Sequence, residues 1–169
     1  MARALFTIGH SNHSTERFLA LVSAHGIELV CDVRSMPYSR FNPQFNRGPL
    51  EVALEAQGIG YLFLGNMLGG KPRDGDYPAD EKSRFALIAG SDQFRAGLAR
   101  LLEEIGHRRT AVMCAEKDPA HCHRGLLICP NIPAEVTIHH ILADGSIRSH
   151  REVAAQDPGD DTGQQSLLF

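Results

Sequence analysis

The chain has no charged-then-apolar leader and no apolar run long enough to cross a bilayer, so a cytoplasmic protein is expected. It has only four cysteines, and without an export signal these read as reduced thiols rather than a disulfide framework. The short-spaced cysteine pairs of structural zinc sites are missing. Six positions after Cys114 stands Ala120 rather than an arginine, which excludes the cysteine-to-arginine pattern of phosphatases. There are no internal repeats. There is also no excess of charge of one sign. The formal net charge is -3, so any nucleic-acid contact needs a local basic surface.

What is present is ordinary in amount and informative in order. At 169 residues, 43% hydrophobic and 22% charged, the chain suits one domain with a full core. Strand-like and helix-like segments alternate. Ala4 to Ile8, Ile27 to Val33, Gly60 to Leu64, Arg109 to Cys114 and Glu135 to Leu142 read as five apolar strands. Between them, Ser14 or Thr15 caps a helix that Gly26 stops, Pro49 to Ala56 reads as a second helix, and about Asp80 to Ile105 is mostly helical. Gly90 is a candidate interruption of that last helix, and the apolar face carries Phe94, Leu98, Leu101 and Leu102. Apolar strands alternating with helices predict an α/β fold: a single three-layer domain over residues 1–150, Rossmann-like, with a mainly parallel sheet of about five strands. Residues 151–169 read as a polar, acidic tail.

The richest segment is Cys114-Ala-Glu-Lys-Asp-Pro-Ala-His-Cys-His-Arg124, where a strand gives way to a helix. Asp118 suits an N-cap and Pro119 the first helical position, so free backbone N–H groups and Arg124 would attract an anion there. Cys122 would then sit in a first helical turn, where the dipole lowers a thiol pKa; the competing reading places it in the core on a stripe with Leu126 and Cys129. Glu116 is the best general acid or base, with a Glu116–Arg124 ion pair as the structural alternative. No cofactor is expected, although zinc on Cys114, Cys122 and His121 or His123 is conceivable.

Other polar groups fall at strand ends that a parallel sheet brings to one rim. His10, Ser11 and Asn12 follow the first strand, and Asp32 and Arg34 close the second. His10 could serve as base or hydrogen-bond donor, and Asp32 could orient Arg34. His139 and His140 point to opposite faces, so at most one reaches the rim. Arg34, Arg40, Arg47, Lys71 and Arg73 crowd two loops. Between Cys31 and Arg73 five Lys/Arg face three Asp/Glu. Tyr38, Phe41 and Phe45 could stack on bases.

Thr7-Ile-Gly-His-Ser11, Asp32-Val-Arg34 with Pro37 and Ser39-Arg40, Gly58-Ile-Gly-Tyr61, Leu68-Gly-Gly70, Cys114-Ala-Glu116 and Cys122-His-Arg124 together resemble the family called domain of unknown function 488. The resemblance runs from about Leu5 to Gly145. It implies a cytosolic α/β domain with no firmly assigned reaction. Cys31 and Cys129 lie outside the pattern, and Cys129-Pro-Asn-Ile-Pro133 is a short connection for it.

The chain ends Gln165-Ser-Leu-Leu-Phe169, which resembles the peptides by which bacterial repair proteins bind the sliding clamp, with Gln165, Leu168 and Phe169 at the anchor positions. The leading expectation is an enzyme acting on a phosphate-bearing substrate, nucleic acid among the candidates. Ser11, Arg34, Arg40 and Arg124 would bind it, and Glu116, His10 and Cys122 would carry the chemistry. The alternatives are a non-catalytic nucleic-acid or clamp-associated module, and thiol or redox chemistry at Cys114 and Cys122.

Overall fold

A computed structural model of the protein describes residues 3–72 and 75–155. Its centre is a six-stranded sheet, formed by β1 (Arg3–Gly9), β2 (Leu29–Asp32), β3 (Gly60–Phe63), β4 (Thr110–Cys114), β5 (Val136–Ile141) and β6 (Ile147–Ser149). The order is β3-β2-β4-β1-β5-β6. Every pairing is parallel except that of β5 with β6, which is antiparallel. The parallel α/β fold is therefore as expected, with one strand beyond the five. β6 has only three residues, of which Ile147 and Arg148 are exposed, so it carries no apolar run to mark it.

Both faces of the sheet are covered, so the strands alternate between two cores. Phe6, Ile8, Val30, Ala111 and Met113 pack against α1 (Thr15–Ala24) and α2 (Arg47–Glu55), through Phe18, Leu21, Leu50 and Leu54. Leu5, Leu29, Cys31, Val112 and Cys114 face the opposite way. They meet Ile88 of α4 (Glu81–Ala89), Phe94, Leu101 and Ile105 of α5 (Asp92–His107), and Leu127 and Ile128 of the turns after β4. Each such aliphatic or aromatic side chain contributes about 1.5–3 kcal/mol when fully buried.

Local signals set the helix starts. The Ser14, Asp80 and Ser91 side chains accept from the backbone N–H groups of Arg17, Ser83 and Phe94. Gly90 and Ser91 split the long helical stretch into α4 and α5. A single turn, α3 (Gly65–Leu68), follows β3. The last helix, α6 (His150–Ala154), begins with a capping box of Ser149 and Glu152 and buries Val153, so packing continues past residue 150.

The chain leaves β1 toward β2 on one side and leaves β4 toward β5 on the other. β1 and β4 are neighbours, with Gly9 opposite Cys114. Their carboxyl ends thus form the switch point at which open α/β sheets place ligands.

Candidate functional site

At the switch point the β1–β4 ladder runs on into the loops. The His10 N–H donates to the Cys114 carbonyl at 2.9 Å and the Ser11 N–H to the Ala115 carbonyl at 3.0 Å. The segment after β4 then crosses directly over Gly9. A Cβ on Gly9 would stand 1.8 Å from the Glu116 carbonyl oxygen, so only glycine admits this crossing. Ser11 has φ +48°, the left-handed region, a strain of order 1 kcal/mol or more that a non-glycine residue bears at a loop held from several sides.

Beneath this crossing lies a buried polar cluster built on Arg124, whose exposure is 0%. Arg124 Nε donates to Cys122 Sγ at 3.2 Å and Nη1 to Thr7 Oγ1 at 2.7 Å. Nη2 donates to the main-chain oxygens of Glu116 at 3.1 Å and Lys117 at 3.0 Å. Cys114 Sγ is 3.2 Å from Cys122 Sγ. Burial works against a charge on Cys122. The hydrogen bond from Cys114, the Arg124 guanidinium and the Gly125 backbone outweigh it and hold the Cys122 thiol down, at about 6. Burial, aided by the bond to Cys122, pushes Cys114 well above its ordinary value. The arrangement favours a thiolate on Cys122, beside the guanidinium, and a proton on Cys114. Thr7 Oγ1 carries the network on to His140 Nδ1 at 2.6 Å, and His140 Nε2 lies 3.1 Å from His150 Nδ1.

A second cluster stands at the end of β2. Arg34 Nε and Nη2 donate to the two Asp32 carboxylate oxygens at 2.9 and 2.7 Å, and Nη2 also donates to the Phe45 carbonyl. Tyr61 donates its O–H to Asp32 at 2.6 Å, and Arg34 Nη1 is 3.3 Å from His10 Nε2. The His10 ring stacks on Phe45 with centroids 4.6 Å apart. Burial, against the bond to the Ser11 carbonyl and with help from Arg34, lowers His10 to about 4, so it is neutral at pH 7.

An open cleft of about 280 Å³ lies beside this cluster, at the carboxyl ends of β2 and β3. Ser35, Tyr38, Arg47, Asn66, Lys71 and Gln93 supply its polar lining, with Phe63 as floor, and no carboxylate is among the lining residues. The Arg47 guanidinium sits 4.6 Å above the Phe63 ring. Ser35 Oγ accepts from the Lys71 backbone N–H at 2.9 Å. Tyr38, 64% exposed, lines it, and Phe41, 85% exposed, stands three residues further along the same loop.

His10, Arg34 and the Arg124 network do gather at the carboxyl edge, but mostly beneath the surface. Arg34 is 6% exposed and committed to Asp32, which orients it as foreseen. Arg124 is enclosed, not presented to solvent, because backbone carbonyls and the Cys122 sulfur consume its donors. The Glu116–Arg124 ion pair does not form: Glu116 is exposed, and it offers Arg124 only its carbonyl. Arg40 is exposed, and Ser11 is half-buried. Phe45 belongs to the core and is not available for stacking on a base.

A helical turn does begin at Pro119 with Asp118 as its cap, but it is a single 3-10 turn, Pro119–His121, and not a longer helix. After it Cys122 is extended and a π-helical turn, Arg124–Ile128, follows. Cys122 therefore precedes the π-helical turn, and its stripe with Leu126 is broken: Leu126 is exposed while Cys122 and Cys129 are buried. His140 faces the Arg124 side while His139 lies against Phe6 on the other, as strand alternation requires. The conceived zinc set does not assemble either. His123 Nε2 donates to the Val33 carbonyl at 2.8 Å, and His121 is exposed beside Asp118. The sequence reading assigned no role to Thr7, although it opens the Thr7-to-Ser11 motif, or to His150, which sits in no motif, and it did not reveal the cleft, whose walls come from distant loops. Arg73, Gln165, Leu168 and Phe169 lie outside the described residues.

Among the described residues no helix is long and apolar enough to cross a membrane. No curated protein and no solved structure matches the chain at a significant level. The model of the family described as Domain of unknown function DUF488 matches residues 14–129, from the cap of α1 through the π-helical turn, and the chain belongs to that family.

Proposed function

We infer that this chain is an enzyme acting on a phosphate-bearing substrate of nucleotide or nucleic-acid type, held in the cleft between β2 and β3. The observation that carries the reading is the sign of that cleft. Arg47 and Lys71 line it with no carboxylate beside them, and among the described residues neither is in an ion pair. Arg47 suits a phosphate through two parallel N–H bonds, and its seat over Phe63 orients the fork before a ligand arrives. Tyr38 and Phe41 offer exposed rings on which a base could stack. In this reading Arg34 and His10 brace the wall of the site, and Glu116, exposed at the neighbouring switch point, takes the proton-transfer role.

The test is fluorescence anisotropy of a labelled single-stranded oligonucleotide over a salt series, with inorganic pyrophosphate as competitor and product analysis alongside. Arg47→Ala with Lys71→Ala should weaken binding tenfold or more. It should also flatten the log–log salt slope by roughly 1.4, about 0.7 per lost contact. Unchanged affinity in the double variant would overturn the site. Binding without any conversion of the oligonucleotide would favour the alternative of a non-catalytic nucleic-acid module.

One observation favours a second reading: the 3.2 Å approach of Cys114 and Cys122 beside Arg124. The Cys122 thiolate would attack a small-molecule disulfide and release one half as a thiolate. Cys114 would then displace the other half, leaving an intramolecular disulfide. Alkylation of Cys122 only after denaturation would remove this reading.

A further inference from the structure

We propose that Cys129, His140 and His150 form a metal site for a divalent, borderline-soft cation, zinc above all, with a fourth position left for water. The three residues come from three elements: the 3-10 turn Cys129–Asn131, β5 and the first residue of α6. Their spacing of eleven and ten positions carries no zinc signature in sequence, yet one ligand atom from each lies within 4.8 Å of the other two. It is the one such group of His, Cys, Asp and Glu found among the described residues.

The geometry suits tetrahedral coordination. With zinc bonds of about 2.0–2.1 Å to imidazole nitrogen and about 2.3 Å to sulfur, tetrahedral angles set ligand atoms roughly 3.3–3.7 Å apart. His140 Nε2 and His150 Nδ1 already face each other at 3.1 Å, so a cation needs a small parting of the rings and the approach of Cys129 Sγ from within 4.8 Å. Two ring nitrogens that face each other offer at most one proton between them. A cation replaces that single contact with two bonds.

The surroundings complete the case. A zinc-bound imidazole ordinarily donates its other N–H to an oxygen, which sets the tautomer and the ring orientation. His140 Nδ1 has such an oxygen at 2.6 Å, Thr7 Oγ1. Arg124 fills one acceptor position of that hydroxyl at 2.7 Å, leaving the second for His140. Cys129 and His140 are buried, whereas His150 is only half-buried, so the unfilled position opens along the His150 side. One thiolate with two imidazoles and an open position is the mixed donor set of zinc sites that hold a water. Binding would release one proton, from Cys129 Sγ, and would tie α6 and the turn after the π segment to the sheet. None of these residues lines the Arg47–Lys71 cleft, so this site and the substrate reading stand or fall separately.

The experiment titrates the full chain, stripped of metal by a chelator, with Co²⁺ and then Zn²⁺. The expected result is one equivalent of Co²⁺ with a thiolate-to-metal charge-transfer band, displaced by Zn²⁺, and a melting temperature raised by Zn²⁺. Cys129→Ser should lose the band, His150→Ala should weaken binding at least tenfold, and Cys122→Ser should keep both band and stoichiometry. His150 is half-buried at the start of a short helix, so His150→Ala is the variant best placed to fold, with circular dichroism as the check. Absence of stoichiometric binding overturns the proposal. So does a band that survives Cys129→Ser and disappears in Cys122→Ser, which would put the metal on the other thiol pair.

Discussion

Arg124 Nε lies 3.2 Å from Cys122 Sγ, and both side chains are buried between the sheet and the turns after β4. The guanidinium is the largest fully buried side chain of the described residues, and no carboxylate balances it. The group beside it suited to carry the counter-charge is the Cys122 thiol, which the guanidinium and Cys114 hold below its ordinary value. An uncompensated charge at such depth would cost several kcal/mol, so each of the two groups favours the ionised form of the other.

Arg124→Ala should therefore act first on stability. It strands Cys122, Thr7 and two main-chain carbonyls in a buried space, at a cost of about 3–5 kcal/mol. Arg124→Lys keeps the charge but not the fork, and should recover only part. Urea unfolding measures both. A loss below about 1 kcal/mol for Arg124→Ala would show that water reaches the cluster.

The same pair predicts a pH dependence. The Cys122 thiol falls from an ordinary value of 9.0 to about 6 in the folded chain. Between those values the unfolded chain binds more protons, so stability rises with pH. The contribution is full above about 9 and is lost as pH falls through about 6. Between pH 7.5 and 8.5, above the window in which the buried histidines titrate, denaturation midpoints should climb in the wild type and stay nearly level in Cys122→Ser. Equal slopes in the two proteins would remove the thiolate.

His10 predicts acid sensitivity in a lower window. Its folded value, about 4 against an ordinary 6.5, means that protonation favours the unfolded chain. Its contribution is full above 6.5 and declines as pH falls toward about 4. His10→Asn should remove part of the fall in melting temperature across that window, while the other lowered histidines, among them His140, lowered to about 3 by burial and Arg124, and His123, lowered by burial, keep the rest. An unchanged profile would place His10 in solvent.

Gly9→Ala tests the crossing at the switch point. The new methyl would meet the Glu116 carbonyl at 1.8 Å, and backbone, not a pliable side chain, must yield. A loss of at least about 1–3 kcal/mol is expected by urea unfolding. The Cys122 alkylation rate should also rise as the segment over the cluster lifts. A neutral substitution would mean that this crossing is loose.

Much of the fold follows from local and periodic features alone. Apolar strands separated by capped helices leave little choice but a parallel sheet covered on both faces. Ser14, Gly90 and Ser91 mark their boundaries by side-chain capping and backbone freedom, both short-range effects. The gathering of His10, Arg34 and the Cys114–Arg124 segment at one edge also follows from chain order, because every parallel strand ends at the same rim. Asp32 and Arg34, two residues apart, were legible as a pair for the same reason.

Tertiary structure decided what those residues do. Burial turned Arg124 from an expected anion ligand into an internal cation, since the crossing over Gly9 closes the rim above it. Cys122 owes its lowered value to Cys114 and Arg124 more than to a helix start, because the turn that begins at Pro119 ends before it and the π turn begins after it. Cys129, His140 and His150 meet only when β5 lies beside β1 and α6 folds back over them. No periodicity encodes that meeting. It depends on register and long-range packing, which are properties of the whole folded chain.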